Sequence, residues 1–233
     1  MKFSAKIVHF VRHAEGTHNL AGANESKHPR HHDARLTVKG REQCHDLSIS
    51  TRNLGVECVI VSPMSRCLET ARLSFPHCYE SQEIPFVANE NWRETVNYLC
   101  DSRRQTSVLE GEYPRVDFNF LDHDGDPLWN YYEDKFGCYK THTRMRESGD
   151  PESLFRRIHT AWRSVFERSE KNIAIVSHSA LFMHMFQPYH QRLLGLIEYG
   201  DQDVHSLMTT ERFGNCEMRS VVAEPLDSAG VDC

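Results

Sequence analysis

Three short stretches of the chain place cations and imidazoles just beyond strand-like runs. They are Arg12-His13-Ala14-Glu15-Gly16-Thr17-His18-Asn19, Ser62-Pro63-Met64-Ser65-Arg66 and Ser177-His178-Ser179. Two guanidiniums, Arg12 and Arg66, can grip phosphate oxygens through paired charge-assisted hydrogen bonds. An imidazole held among cations stays neutral, because positive neighbours oppose its protonation, and as a neutral ring it can attack phosphorus. A second imidazole, once protonated, donates to the charge that develops. The chemistry implied is phosphoryl transfer through a phosphohistidine, a reaction that depends on positioning and charge stabilisation. It also needs an acid for the leaving oxygen. Glu90 and Glu94, in Asn89-Glu90-Asn91-Trp92-Arg93-Glu94, both follow a possible strand at Pro85 to Ala88, and spacing does not choose between them. A carboxyl beside a phosphate dianion in a covered pocket is expected to hold its proton more tightly than usual.

Something must carry these distant residues to one place. Lys6 to Val11, Cys58 to Val61 and Asn172 to Val176 are short, nearly continuous apolar runs. Such runs suit strands buried on both faces of a parallel sheet. Helices are predicted between them. Thr37 can cap one that runs towards Asn53, and Ser62-Pro63 can start one through Leu73. Asp150-Pro151 repeats that start signal, and Leu154, Ile158, Ala161, Trp162, Val165 and Phe166 then mark one helical face. Ala180 to Phe186 reads as a short apolar helix, and Glu217 to Ala223 as a late edge strand. Alternating strands and helices predict an α/β sandwich with a mainly parallel sheet. In such sheets ligands bind beyond the carboxyl ends of the strands, which is where the three stretches lie. Arg66 in the first turn of a helix opposes the helix dipole unless an anion sits there. The helix start at Ser177-His178 offers free backbone N–H groups to the same anion.

The 233 residues suit one domain, and a hydrophobic fraction of 39% is enough for a real core. Residues of about 95–149 break the alternation with prolines, glycines, acids and aromatics, and read as an irregular insertion covering one end of the sheet. A net charge of −6 argues against nucleic-acid or anionic-membrane binding. No apolar run approaches the roughly 20 residues of a spanning helix, and the first residues lack a secretory signal, so the chain reads as cytoplasmic. The eight cysteines contain no C-x-x-C pair and are expected to be reduced thiols. His28, His31, His32 and Asp33 cluster as metal ligands do, but Lys27 and Arg30 lie among them and oppose a cation, so no metal and no cofactor is expected.

Taken in order, Arg12-His13-Ala14-Glu15, Ser62-Pro63-x-x-Arg66 and Ser177-His178 resemble the histidine phosphatase superfamily, also called the phosphoglycerate mutase-like family. The resemblance runs over roughly residues 6–190. Asp33-Ala34-Arg35-Leu36-Thr37-x-x-Gly40, Arg93-Glu94 and Cys100-Asp101-x-Arg103-Arg104 look like its little-characterised mutase-like branch of plants and fungi. The resemblance implies a three-layer α/β/α sandwich on a six-stranded, mainly parallel sheet, working without metal. It makes His13 the phosphorylated nucleophile and Arg12, Arg66 and His178 the rest of the phosphate pocket. Asn19 matches a polar pocket residue, and Glu94 matches the proton donor.

Two departures matter. Ala14 replaces the usual glycine after the nucleophile, a change of one methyl that is expected to be tolerated. Glycolytic mutases carry Asn-Glu-Arg-His-Tyr-Gly around the acid, whereas this chain has Arg93-Glu94-Thr95-Val96-Asn97-Tyr98. The groups expected to hold phosphoglycerate for re-transfer are not evident, so water is the expected acceptor and a phosphatase is preferred to a mutase. A non-catalytic phosphate sensor would be expected to lack the nucleophile or an arginine, and none is missing. Arg103 and Arg104 are either readers of a second anionic group over the pocket or a basic pair offsetting nearby acids. The substrate class stays open, from phosphorylated small molecules to phosphoproteins.

Overall fold

The computed structural model describes residues 4–20, 29–140, 145–186, 197–209 and 211–225. Six strands form its sheet: β1 (Lys6–Arg12), β2 (Cys58–Val61), β3 (Phe86–Ala88), β4 (Val116–Asp117), β5 (Asn172–Ser177) and β6 (Met218–Ala223). Their order is β4-β3-β2-β5-β1-β6, with the first five parallel and β6 antiparallel against β1. The apolar runs at β1, β2 and β5 take the centre, where both faces are covered. The last strand is a partly exposed edge, as its mixed composition predicts.

Alternate residues along each strand face opposite layers. Val8, Phe10, Ile60, Ile173 and Ile175 pack against α6 (Pro151–Phe166), α7 (Ser179–Phe186) and α8 (Gln202–Thr209). Val11, Val59, Val61, Ala174 and Val176 face α2 (Ser65–Ser74), α3 (Pro76–Glu80) and α4 (Thr106–Glu112). The result is the three-layer α/β/α sandwich. Phe10 centres the first layer, edge-on to Trp162, Phe182 and Phe186 at ring-centroid distances of 5.0–5.6 Å. An edge-on approach of aromatic rings at this range is favourable beyond the area it buries.

Helix starts follow local chemistry, with one shift. Thr37 caps α1 (Val38–Thr51), its Oγ1 accepting from Gly40 N at 2.9 Å. Gly40 is required there because a Cβ would lie 2.2 Å from the Glu15 carbonyl oxygen, so α1 can abut the segment after β1 only without a side chain. Pro151 opens α6 as predicted. The helix expected at Ser62-Pro63 instead begins at Ser65. Asp33 accepts from both Ser65 N (2.8 Å) and Ser65 Oγ, which fixes the start two residues on.

The stretch of about 95–149 is not irregular. It contains α4, α5 (Pro127–Phe136), short 3₁₀ turns at Leu99–Asp101 and Glu147–Gly149, and β4, the outermost strand of the sheet. Buried ion pairs fasten it: Arg93 to Asp126 at 2.6 Å, Arg103 to Glu90 at 2.6 Å and Arg157 to Glu147 at 2.8 Å. No disulfide links the cysteines among the described residues. No helix among those residues is long and apolar enough to cross a membrane.

Candidate active site

The carboxyl ends of the central strands are joined by backbone hydrogen bonds. His13 N donates to Ser177 O at 2.9 Å, and Ser62 N donates to Val176 O at 3.0 Å. His13 and His178 therefore emerge side by side, their ring centroids 5.2 Å apart. His13 Nδ1 lies 2.7 Å from the Ala14 carbonyl oxygen. A carbonyl can only accept, so Nδ1 carries the proton and Nε2 keeps its lone pair. Ala14 is fully buried among Leu36, Cys44 and Cys216, so its methyl packs in the place where the family's pattern has glycine.

His178 takes the opposite tautomer. Its Nδ1 accepts from Arg66 Nη2 at 3.3 Å, which leaves the proton on Nε2, donated to Ser62 Oγ at 2.8 Å. Arg66 Nη1 donates to Cys100 O at 2.7 Å, and Arg12 Nη1 donates to Phe213 O at 2.8 Å. The Nε of each is buried with no hydrogen-bond partner. Arg93 and Arg146 also bury an unpartnered Nε, but each is ion-paired to a carboxylate, Asp126 and Glu133 in turn. Arg12 and Arg66 are thus anchored at one end, with donors still to be satisfied. Burial first, and then the charge on Arg66, holds both His13 and His178 well below the usual imidazole range. Both rings are neutral at neutral pH, which a nucleophile at position 13 requires.

Glu94 joins them from the turn after β3. Its carboxylate accepts from Ala180 N (3.2 Å) and Leu181 N (2.9 Å), in the first turn of α7, and from its neighbour Thr95 N (2.9 Å). The helix start that the sequence offered to a bound anion is therefore taken by the protein's own carboxylate. Glu90 points the other way and binds Arg93 and Arg103.

This constellation agrees with the comparisons to known proteins. Residues 8–215 match the family model for the histidine phosphatase superfamily (branch 1). The chain belongs to that superfamily. A phosphoglycerate mutase-like protein of Arabidopsis thaliana is 30% identical over 97% of this chain and 88% of its own length. A probable phosphatase of Schizosaccharomyces pombe is 32% identical over 51% of this chain and 55% of its own. Among solved structures, a putative alpha-ribazole-5'-P phosphatase from Escherichia coli superposes with a TM-score of 0.53 at 16% identity, covering 97% of this chain and 100% of that one, which is a likeness of fold. Membership supports an activity of the phosphatase or mutase type.

Three further candidate residues, Arg103, Arg104 and Asn19, are held by partners within the protein. Arg103 is buried away from the pocket. Its Nε binds Glu90 at 2.6 Å, and its Nη groups donate to Thr106 and to the carbonyls of Arg104, His123, Asp124 and Gly125. Arg104 bridges Asp33 at 2.8 Å and Glu112 at 2.7 Å. Of the two readings of this pair, the contacts favour a pair that offsets nearby acids and carbonyls. Asn19 is exposed and braces its own loop, its Oδ1 accepting from Gly16 N at 2.9 Å and Asn215 Nδ2 at 3.3 Å. His28 lies outside the described residues. Of its companions, His31 is buried, His32 is exposed and Asp33 is spent on Ser65 and Arg104. Among the described residues no group of three or more side chains is arranged to hold a metal ion.

Two groups at the pocket were not singled out as site residues from the sequence. His18 lies 5.4 Å from the His13 ring, centroid to centroid, and is held well below the usual imidazole range, first by burial and then by Arg66 and Arg12. Its place five residues after the nucleophile, in a turn, gave no periodic signal. Asp101 is buried with Oδ1 3.6 Å from Arg66 Nη2. It stood in a recognised motif, but only the fold brings it beside Arg66.

Proposed function

We propose that this protein is a metal-independent phosphatase that hydrolyses phosphate monoesters by way of a phosphohistidine on His13. The observation that carries this reading is the tautomer of His13: with Nδ1–H committed to Ala14 O, the Nε2 lone pair lies among Arg12, Arg66 and His178. In the first step Nε2 bonds to phosphorus as the ester P–O bond breaks. The protonated Glu94 gives its proton to the leaving oxygen. Arg12 and Arg66 hold the equatorial oxygens, and His178 joins them in its protonated form, since the neutral ring gives its one N–H to Ser62. In the second step Glu94, now a carboxylate, takes a proton from water, whose oxygen attacks phosphorus. The P–N bond breaks and inorganic phosphate leaves.

Water is the favoured acceptor because the side chains around Glu94 are already committed. Arg93 lies between Asp126 and Glu90, and Asn97 donates to Thr95 and Ser148. The Nη groups of Arg93 and the Nδ2 of Asn97 are thus engaged by the protein and not offered to a second hydroxyl. The substrate class is a phosphorylated small molecule or phosphoprotein. The test is a panel of phosphorylated metabolites and phosphopeptides, scored for phosphate release and, with phosphoglycerate and a bisphosphoglycerate primer, for isomer formation. Phosphate release that His13→Ala abolishes, with ³²P trapped on the parent under alkaline denaturation, supports the reading. A His13→Ala variant that hydrolyses esters as the parent does refutes it.

A further inference from the structure

We propose that Asp101 is a positioning residue that holds Arg66 and sets how tightly the phosphate pocket keeps a free oxyanion, so that inorganic phosphate can leave. The proposal rests on the phosphatase reading above, and it follows from how Arg66 is held. The 3₁₀ turn Leu99–Asp101 grips both ends of the guanidinium: Cys100 O accepts from Nη1 at 2.7 Å, and Asp101 Oδ1 lies 3.6 Å from Nη2. The carboxylate is itself fixed, because Oδ2 accepts from Asn97 N at 3.1 Å and Tyr98 N at 2.8 Å. Arg93 Nη2 donates to the Asp101 carbonyl and ties the turn to the segment that carries Glu94. The donor that Arg66 offers to His178 is the same nitrogen that Asp101 faces.

This arrangement has a cost and a use. A buried carboxylate beside an anion pocket repels the anion, and that repulsion is strong where water is excluded. A positioning role alone could be served by another carbonyl, as Phe213 O serves Arg12. A negative charge here weakens the hold of two arginines on a dianion in ground and product states alike. A pocket that held free phosphate as tightly as its cations allow would be slow to clear between turnovers.

Asp101 also responds to pH. The groups facing it are Arg66 from α2, Glu94 from the turn after β3, and Cys100 and Tyr98 from its own turn, with Arg30 and His31 on the packed turn Pro29–His31. Burial raises its proton affinity, Arg66 offsets this in part and Glu94 adds to it, so the carboxyl is pushed up to about 6. Below that point the repulsion fades and oxyanion binding should tighten.

The test measures sulfate binding by calorimetry on the full chain, which needs no turnover. Asp101→Asn should bind sulfate about tenfold tighter than the parent at pH 7.5, equivalent to about 1.4 kcal/mol, and Asp101→Glu should stay near the parent. The parent's own affinity should tighten from pH 7.5 to 6, and that part of the pH dependence should be lost in Asp101→Asn. The kcat of Asp101→Asn on a monoester should fall while KM also falls. Equal or weaker sulfate binding in Asp101→Asn overturns the proposal, as a purely structural carboxylate would predict. If that variant does not fold, Asp101→Ser takes its place: sulfate binding tighter than the parent at pH 7.5 supports the proposal, and equal or weaker binding overturns it. A protein that releases no phosphate from any ester yet shows the sulfate effect would refute the phosphatase reading and leave the charge-setting role of Asp101 standing.

Discussion

Acid should destabilise this protein earlier and more steeply than its carboxylates explain, because the pocket buries neutral imidazoles. In the unfolded chain a histidine takes up its proton near pH 6.5. In the folded protein His13, His18 and His178 are held well below that, chiefly by burial. Below pH 6.5 the unfolded state therefore binds more protons, and stability falls as pH falls. Each fully neutral histidine contributes up to about 1.4 kcal/mol per pH unit once its unfolded counterpart is protonated. Asp101 works in the other direction, since its folded carboxyl, near 6, takes a proton that the unfolded chain accepts only at lower pH. His18 is less completely enclosed than the other two and counts for less. The net loss between pH 7 and pH 5.5 is about 2–3 kcal/mol, a large share of the 5–15 kcal/mol typical of a domain. His9, also held low by burial, adds in the same direction. Urea denaturation at pH 7, 6.5, 6 and 5.5 reads this directly, and most of the loss should come before ordinary carboxylates begin to titrate. Sulfate should restore more stability at pH 5.5 than at pH 7, because an anion in the pocket favours protonated rings. His178→Gln should flatten the profile by about a third. Equal urea midpoints at pH 7 and pH 5.5 would show that the rings titrate freely, and the neutral nucleophile would be lost with them.

Two further outcomes separate chemistry from scaffold. Glu94→Gln keeps one oxygen acceptor for Leu181 N and Thr95 N, which share Oε1, loses the Oε2 acceptor of Ala180 N and cannot shuttle a proton, so kcat should drop by about 10²–10⁴ on alkyl phosphates and much less on p-nitrophenyl phosphate, whose leaving group needs no acid. Parallel losses on both ester types would remove Glu94 from the acid role. Arg103→Ala should cost about 3–5 kcal/mol in chemical denaturation, because it strips Glu90 of one of its two arginine partners and leaves several buried carbonyls without that donor, while the variant that still folds keeps the parent's KM for substrates with and without a second anionic group. A selective KM rise for the doubly anionic substrate would reinstate Arg103 as a reader.

The parts legible in the sequence were those with strong local signals. β1, β2 and β5 carry nearly continuous apolar runs because they lie in the covered centre of the sheet, and the site residues lie at or just beyond their carboxyl ends. The strand-to-site rule then places Arg12, His13, Arg66 and His178 at one rim without further information. What was not legible depended on long-range partners. β4 is only two residues long, too short for any period, and exists because β3 offers it an edge. The start of α2 moved from Ser62-Pro63 to Ser65 because Asp33, far away in sequence, captures Ser65. Whether Arg103 and Arg104 read a second anion or offset nearby acids stayed open because their partners, Glu90, Asp33 and Glu112, show no sequence spacing that marks a pair. Spacing left Glu90 and Glu94 open and the family resemblance pointed to Glu94, which in the structure is the one that accepts from the first N–H groups of α7.

The same dependence on distant partners shapes how this cage can vary. Neither arginine of the phosphate pocket is held by its own strand or helix. Arg12 is anchored on Phe213 O, from the loop before β6, and Arg66 on Cys100 O and Asp101, from the segment that follows Glu94. The His13 carbonyl is held in turn by Cys216 N at 3.3 Å and Asn215 Nδ2 at 3.2 Å, from that same late loop. The sheet fixes where the imidazoles emerge, while the orientation of the guanidiniums is delegated to connecting segments. A change in residues 95–149 made to alter specificity would therefore also tilt Arg66 and alter phosphate affinity. On the proposed reading, this segment and phosphate release are coupled through one guanidinium, and substitutions that leave the Cys100-Asp101 grip intact separate them.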